Sequence, residues 1–230
     1  MRGFPASSSK KIAIAPANGE TERVSDSPSY RTLQAPLRHE IAKIKGSRFL
    51  ACIAPCQDRD AAASFVESIR REFHDARHVC SAWRLGLGDQ DFRFDDDGEP
   101  NGSAGRPILQ QIDGHGLSNC VVAVVRWFGG TKLGVGGLVR AYGQAAAEAL
   151  GRAEIETVVL KERILVRFPY ELSGPMQGLC AALDIQPSSS EYGTEVELSF
   201  DIPLADCERF VHEVTERSAA RAQIERPESG

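Results

Sequence analysis

The chain has 230 residues, 42% of them hydrophobic and 26% charged, with a formal net charge of −5. Those values fit one large or two small globular domains with a full core. No apolar stretch approaches a membrane span, and the first residues, MRGFPASSSKKIAIAPANG, lack the apolar centre of a secretory signal, so a cytoplasmic protein with no membrane partner is expected.

Charge is uneven along the chain. Residues 1–39 carry six Lys/Arg against three Asp/Glu, residues 40–153 carry fourteen of each, and residues 154–230 carry seven against fifteen. A C-terminal part this acidic repels a phosphate backbone, so any nucleic-acid contact must be confined to local basic groups. Residues 1–35 are read as a flexible tail, because the first thirty are rich in Ser, Ala, Pro and Lys without periodicity. From Glu40, EIAKI and SRFLACIAP read as two strands joined at the turn-like pair Lys45-Gly46. Asp58 is placed to cap the helix DAAASFVESIRREFHDA, whose Ala62, Phe65, Val66, Ile69 and Phe73 make one apolar stripe.

HVCSAWRLGL reads as the next strand. FRFDDDGEPNGSAG follows as an acidic loop with a Gly-Glu-Pro turn, then a short helix around Ala104 to Ile112. The valine strand from Val121 is apolar on both faces and breaks into a segment with five glycines between Gly129 and Gly137. Val139 to Leu150 is helix-like. Together these predict an α+β domain over residues 36–153. Beyond it, ERILVRFPY, LSGPMQGLCAALD, the weak strand IQPSSSEYG, TEVELSFDIP, LADCERFVHEVTERSA and AQIE follow the order βαββαβ. That order predicts a ferredoxin-like domain over residues 154–225, with 226–230 as a frayed end. The six cysteines lie where small buried hydrophobes belong, and no C-x-x-C occurs, so neither a disulfide framework nor a structural zinc is expected.

Strand, glycine loop, helix is an order that offers backbone N–H groups and a helix N-terminus to an anion. Lys132 and Arg140 add positive charge, with Arg126 at the strand's end. The spacing matches neither a P-loop nor a dinucleotide fingerprint, since Lys132 precedes Gly134 and no Ser or Thr follows it. Anion binding and tight packing therefore stand as equal readings of Gly129, Gly130, Gly134, Gly136 and Gly137. Asp95, Asp96, Asp97 and Glu99 are dense enough to hold a divalent cation or orient a water. Asp-Gly and Glu-Pro are ordinary turn chemistry, however, and Ser103 is placed to cap the next helix, so a structural role is expected and no metal. His74 and His78 should be split by the end of the first helix. His78 shares a strand face with Cys80, and with no acidic partner identifiable a buried polar pairing is expected over a Cys-His nucleophile. Trp127 is expected in the core, not as a stacking platform.

Three ordered motifs carry a resemblance. Ala76-Arg77-His78-Val79-Cys80-Ser81-Ala82-Trp83 comes first, then Asp96-Asp97-Gly98-Glu99-Pro100 with Ser103-Ala104-Gly105-Arg106-Pro107-Ile108-Leu109, then Val125-Arg126-Trp127-Phe128-Gly129-Gly130-Thr131-Lys132-Leu133-Gly134. From about Glu40 to Leu150 the chain resembles the IMPACT family, the YigZ-like proteins. Asn101 and Ser103 stand where that family more usually has Ser and Thr, and Trp127 stands where Tyr is common. The resemblance implies an N-terminal domain similar to the second domain of ribosomal small-subunit protein five, a fold shared with GHMP kinases. It also implies the ferredoxin-like C-terminal domain of bacterial members. Eukaryotic relatives regulate translation by binding the activator of a stress kinase, partly through an additional N-terminal domain.

The leading expectation is a non-catalytic binding protein in translation or its stress regulation, working without a cofactor. Arg126, Gly129, Gly130, Lys132, Gly134, Gly136, Gly137 and Arg140 would contact phosphate of RNA or nucleotide, or an acidic surface of a translation-machinery protein. The competing expectation is a small-molecule phosphoryl-transfer or hydrolytic enzyme. It would use the same loop, with His78 as acid or base and Asp96, Asp97 and Glu99 on a metal. A third reading, a protein-binding adaptor, draws on the acidic C-terminal part.

Overall fold

The computed structural model describes residues 27–88 and 91–227. Its strands are β1 (Ser29–Leu33), β2 (Leu37–Glu40), β3 (Arg48–Pro55), β4 (His78–Arg84), β5 (Phe92–Asp95), β6 (Cys120–Trp127), β7 (Ile155–Val159), β8 (Lys161–Phe168), β9 (Ser189–Tyr192), β10 (Val196–Pro203) and β11 (Gln223–Glu225). Its helices are α1 (Arg59–Glu72), α2 (Gly105–Gly114), α3 (Val135–Leu150), α4 (Ser173–Leu183) and α5 (Cys207–Ser218). The fold is α+β, as expected.

The first sheet is antiparallel in the order β2-β3-β6-β4-β5. Strand β6 takes its centre because it is apolar on both faces. Val122 and Val124 enter a core with Ile108, Ile112, Tyr142 and Ala145 from α2 and α3. Val121, Ala123 and Val125 enter clusters under α1 with Ala62 and Ile69. The period of two along the strand thus sorts α1 to one face and α2 with α3 to the other. Asp58 caps α1 as expected, its Oδ1 accepting from the Ala61 N–H at 2.7 Å. Lys45 and Gly46 make the turn between Ile44 and Ser47 with φ of 48° and 84°.

Several boundaries differ from expectation. The strand expected over 40–44 runs instead over Leu37–Glu40, and Ile41 enters the core from irregular backbone. Within the expected tail, β1 pairs antiparallel with β7, Leu33 lying opposite Ile155 and fully buried. Both strands are short and find their partners more than a hundred residues away, so no local pattern announces them. The stretch FRFD, expected as loop, is the edge strand β5. The apolar-polar alternation of Phe92-Arg93-Phe94-Asp95 covers only four residues and runs straight into the acidic turn, and all four are exposed in the fold. The first 26 residues of the expected tail, and 228–230 of the expected frayed end, lie outside the described residues.

Beyond β7, a second antiparallel sheet has the order β11-β8-β10-β9. With α4 and α5 between its strands this is the ferredoxin-like arrangement. Ile164, Val166, Phe168, Val196 and Phe200 pack against Met176 and Leu179 of α4 and Phe210 and Val214 of α5. The opposite face carries ion pairs, Arg163 with Asp201 and Arg167 with Glu197 and Glu225. All six cysteines are free. No helix among the described residues is long and apolar enough to cross a membrane.

Candidate functional site

The acidic turn after β5 is built from its own carboxylates. Asp97 (φ 42°) and Gly98 (φ 81°) reverse the chain, and the Glu99 N–H donates to the Asp96 carbonyl at 2.9 Å. The Asp96 carboxylate then accepts from three backbone N–H groups: Gly102 at 2.7 Å, Ala104 at 2.9 Å and Gly105 at 2.8 Å. Asp96 therefore caps α2, satisfying N–H groups that a helix start leaves without partners. Ser103, expected in that role, is buried with its Oγ lacking any partner. The Asp97 carboxylate accepts from the Val79 N–H and from Arg70, both at 2.6 Å. These two side chains hold the turn in place, exposed Asp95 accepts from the Asp97 N–H at 2.9 Å, and Glu99 is the carboxylate of the four that lines the cleft shared with the glycine segment. Among the described residues no group of three or more His, Cys, Asp or Glu is placed to hold a metal ion.

Register brings the remaining groups together. His78 on β4 stands directly opposite Arg126 on β6, and Tyr142 approaches from α3. Glu99 lies between them with its side chain only 5% exposed. Its Oε1 accepts from Arg126 Nη1 and from the Tyr142 hydroxyl, the latter at 2.9 Å, and His78 Nε2 is 3.8 Å away. The acidic neighbour of His78 that the linear sequence could not identify is thus Glu99. His78 Nδ1 is 2.7 Å from the Asp97 carbonyl oxygen. A carbonyl only accepts, so Nδ1 carries a proton and Nε2 points toward Glu99. Burial, with Cys80 and Glu99 adding to it, pushes the Tyr142 phenol well above its usual range, which keeps it a donor. Burial likewise raises the Cys80 thiol, whose Sγ donates to the Asp96 carbonyl at 3.0 Å. Cys80 is therefore buried and polar-paired, but its partner is the Asp96 carbonyl and that of His78 the Asp97 carbonyl, so the expected pairing of the two with each other is not formed.

Arg126, at the end of β6, is held through its two terminal nitrogens, while its Nε is buried without a hydrogen-bond partner. Besides Glu99 it reaches Ser47 Oγ at 3.5 Å, and its guanidinium lies 5.6 Å from the Phe49 ring centre and 5.7 Å from that of Phe128. Ser47 Oγ also accepts from the Gly129 N–H at 3.2 Å. There the backbone of Gly129 presses on the Lys45-Gly46 turn so closely that a Cβ would sit 1.9 Å from the Gly46 carbonyl carbon. Gly129 is architectural.

A cavity of about 440 Å³ opens above this cluster. Its lining joins the acidic turn (Gly98, Glu99, Pro100) to the glycine segment (Lys132, Leu133, Gly134), with Arg77, His78, Arg126 and Phe128 between them and Val135 and Leu138 from α3. Gly134 has φ 73° and open space around its Cα, and it starts α3 without any side-chain cap. The first N–H groups of a helix have no acceptor within it, so α3 turns its positive end toward the cleft.

The eight residues expected to bind separate into groups. Lys132 and Gly134 line the cleft, and Arg126 lies at its floor with its charge matched by Glu99. Gly136 and Gly137 fall in the first turn of α3, which begins four residues before the expected start. Gly130, at φ 88°, and Gly129 turn the chain and are absent from the lining. Arg140 lies in a different groove of about 330 Å³ between α2 and α3, with Pro107, Gln110 and Gln144. Phe128 and Arg77 are cleft residues that sequence reasoning missed. Trp127 is only partly buried: its ring meets Phe73 edge-on at 5.6 Å, Arg48 stacks on it at 4.5 Å, and Nε1 donates to Asp75 at 2.9 Å. Strand parity sends Trp127 to the α1 face, so the aromatic at the cleft is Phe128, 44% exposed.

The chain matches the model of the Impact N-terminal domain over residues 45–150 and that of a domain of unknown function, DUF1949, over residues 166–221. It is 36% identical over 186 residues to the IMPACT family member YigZ of Escherichia coli, covering 80% of this chain and 91% of that protein. The chain belongs to the IMPACT family. An IMPACT family member of Thermus thermophilus is 41% identical over 160 residues, 70% of this chain and 86% of the relative. The protein IMPACT homolog of Saccharomyces cerevisiae is 33% identical over 95 residues, 39% of this chain and 36% of its own length. A crystal structure of a hypothetical protein shares the fold with a TM-score of 0.66 at 34% identity, covering 88% of this chain and 98% of that one. Every residue lining the cleft lies inside the Impact N-terminal match.

Proposed function

We propose that this IMPACT-family chain is a non-catalytic binding protein acting in translation or its stress regulation, and that the cleft holds a phosphate group of RNA or of a nucleotide. The observation that carries the reading is the meeting of the acidic turn and the glycine segment in one cavity. Exposed Lys132 and Arg77 line it, and the uncapped start of α3 opens onto it. The internal use of Asp96 and Asp97 speaks against a paired-carboxylate metal site. A hydrolytic reading is favoured by one feature alone, His78 Nε2 beside Glu99 at the cleft floor.

Native mass spectrometry of the full chain purified at low salt tests the proposal. A phosphate-bearing species retained by the parent and absent from Lys132→Ala is the expected result. Equal retention by the two proteins contradicts it.

A further inference from the structure

Glu99 uses one oxygen and leaves the other. Oε1 takes both donors, Arg126 and Tyr142, while Oε2 has no hydrogen-bond partner among the described residues. The side chain is nineteen-twentieths buried, yet it lines the cleft, and two donors fixed on the sheet and on α3 hold its orientation. A carboxylate held this way presents a preset acceptor to whatever enters. Phe128, Pro100 and Leu133 give the same cleft apolar lining, and the exposed cations Lys132 and Arg77 stand among its residues.

We propose that Glu99 Oε2 selects the base of a nucleoside phosphate by accepting from its exocyclic amino group, with Phe128 beside the base. The inference rests on the phosphate reading above and adds its second point of recognition. An acceptor at the floor, apolar side chains in the lining and exposed cations beside them match a nucleotide with an amino-bearing base. The 440 Å³ volume lies in the range of small-ligand sites. Cytosine and adenine offer an amino group at a position where uracil and hypoxanthine carry a carbonyl. That carbonyl would set oxygen against the Glu99 carboxylate, and sites built around a hydrogen bond reject ligands that cannot make it.

Calorimetric titration of the full chain with CMP and UMP, AMP and IMP, ribose 5-phosphate, cytidine and uridine tests this. CMP and AMP are expected to bind at least about tenfold more tightly than UMP and IMP. Glu99→Gln, which adds a donor amide, is expected to shrink that preference. Equal affinity within each pair, with ribose 5-phosphate still weakened by Lys132→Ala, overturns the amino-group inference and leaves the phosphate reading standing. Phosphate binding indifferent to Lys132→Ala, with cytidine still preferred over uridine, overturns the phosphate reading and supports the Glu99 contact. Absence of binding by every nucleotide and nucleoside overturns the inference. Should Glu99→Gln fail to fold, the paired ligands on the parent protein decide alone.

Discussion

Glu99 and Arg126, 27 residues apart, form an ion pair in which each side chain is about 95% buried, with 5% and 6% exposed. The pair ties the acidic turn to the end of the central strand, and the Tyr142 hydroxyl ties both to α3. Removing one partner of a buried pair leaves the other charge uncompensated, at a cost of about 3–5 kcal/mol. Arg126→Ala and Glu99→Ala should each lower unfolding stability by about that amount in urea titrations. The double variant should fall short of the sum of the two losses, because the pair acts as one unit. Additive losses would show that the two side chains contribute separately.

Asp96, and not Ser103, caps α2. Asp96→Ala removes one acceptor from three backbone N–H groups and should destabilise by about 2–3 kcal/mol, since charge-assisted caps lie at the strong end of the range. Ser103→Ala should change stability by less than about 0.5 kcal/mol or raise it, because the buried Oγ has no partner to lose. Thermal melting of the two variants in parallel distinguishes the two caps, and a larger loss from Ser103→Ala would reverse the assignment.

The glycines divide by function and should divide by mutation. Gly129→Ala places a Cβ against the Gly46 backbone and should cost more than about 3 kcal/mol or prevent folding. Gly134→Ala meets only the strain of positive φ, with open space around it, and should cost about 1–2 kcal/mol. Similar losses at both positions would mean that the close approach of Gly129 to the Lys45-Gly46 turn is not what requires glycine there.

Much of the fold was legible because its signals are local. Asp58 announced α1, the two-faced apolar run of Val121 to Val125 announced a central strand, and the βαββαβ rhythm announced the ferredoxin-like half. The pairing of β1 with β7 was not legible, since short strands far apart in sequence depend on tertiary contact. At the site, the sequence supplied His78, Glu99, Arg126 and Lys132 but not their geometry. The register places His78 opposite Arg126, and Glu99 meets both from the acidic turn, a contact between residues distant in sequence. Parity explains why Phe128 and not Trp127 reaches the cleft. An early start to α3 explains why Gly136 and Gly137 belong to a helix, and the α2–α3 groove explains why Arg140 stands apart.

The most direct test of the central claim compares Lys132 with Arg140. Both are exposed cations that the sequence assigns to one anion site, yet only Lys132 lines the cleft. Isothermal titration of the parent, Lys132→Ala and Arg140→Ala with ribose 5-phosphate at fixed salt should show about tenfold weaker binding for Lys132→Ala, the size of one charge-assisted contact, and parent affinity for Arg140→Ala. Loss of affinity from Arg140→Ala equal to that from Lys132→Ala, or no loss from either, would contradict a phosphate site in this cleft.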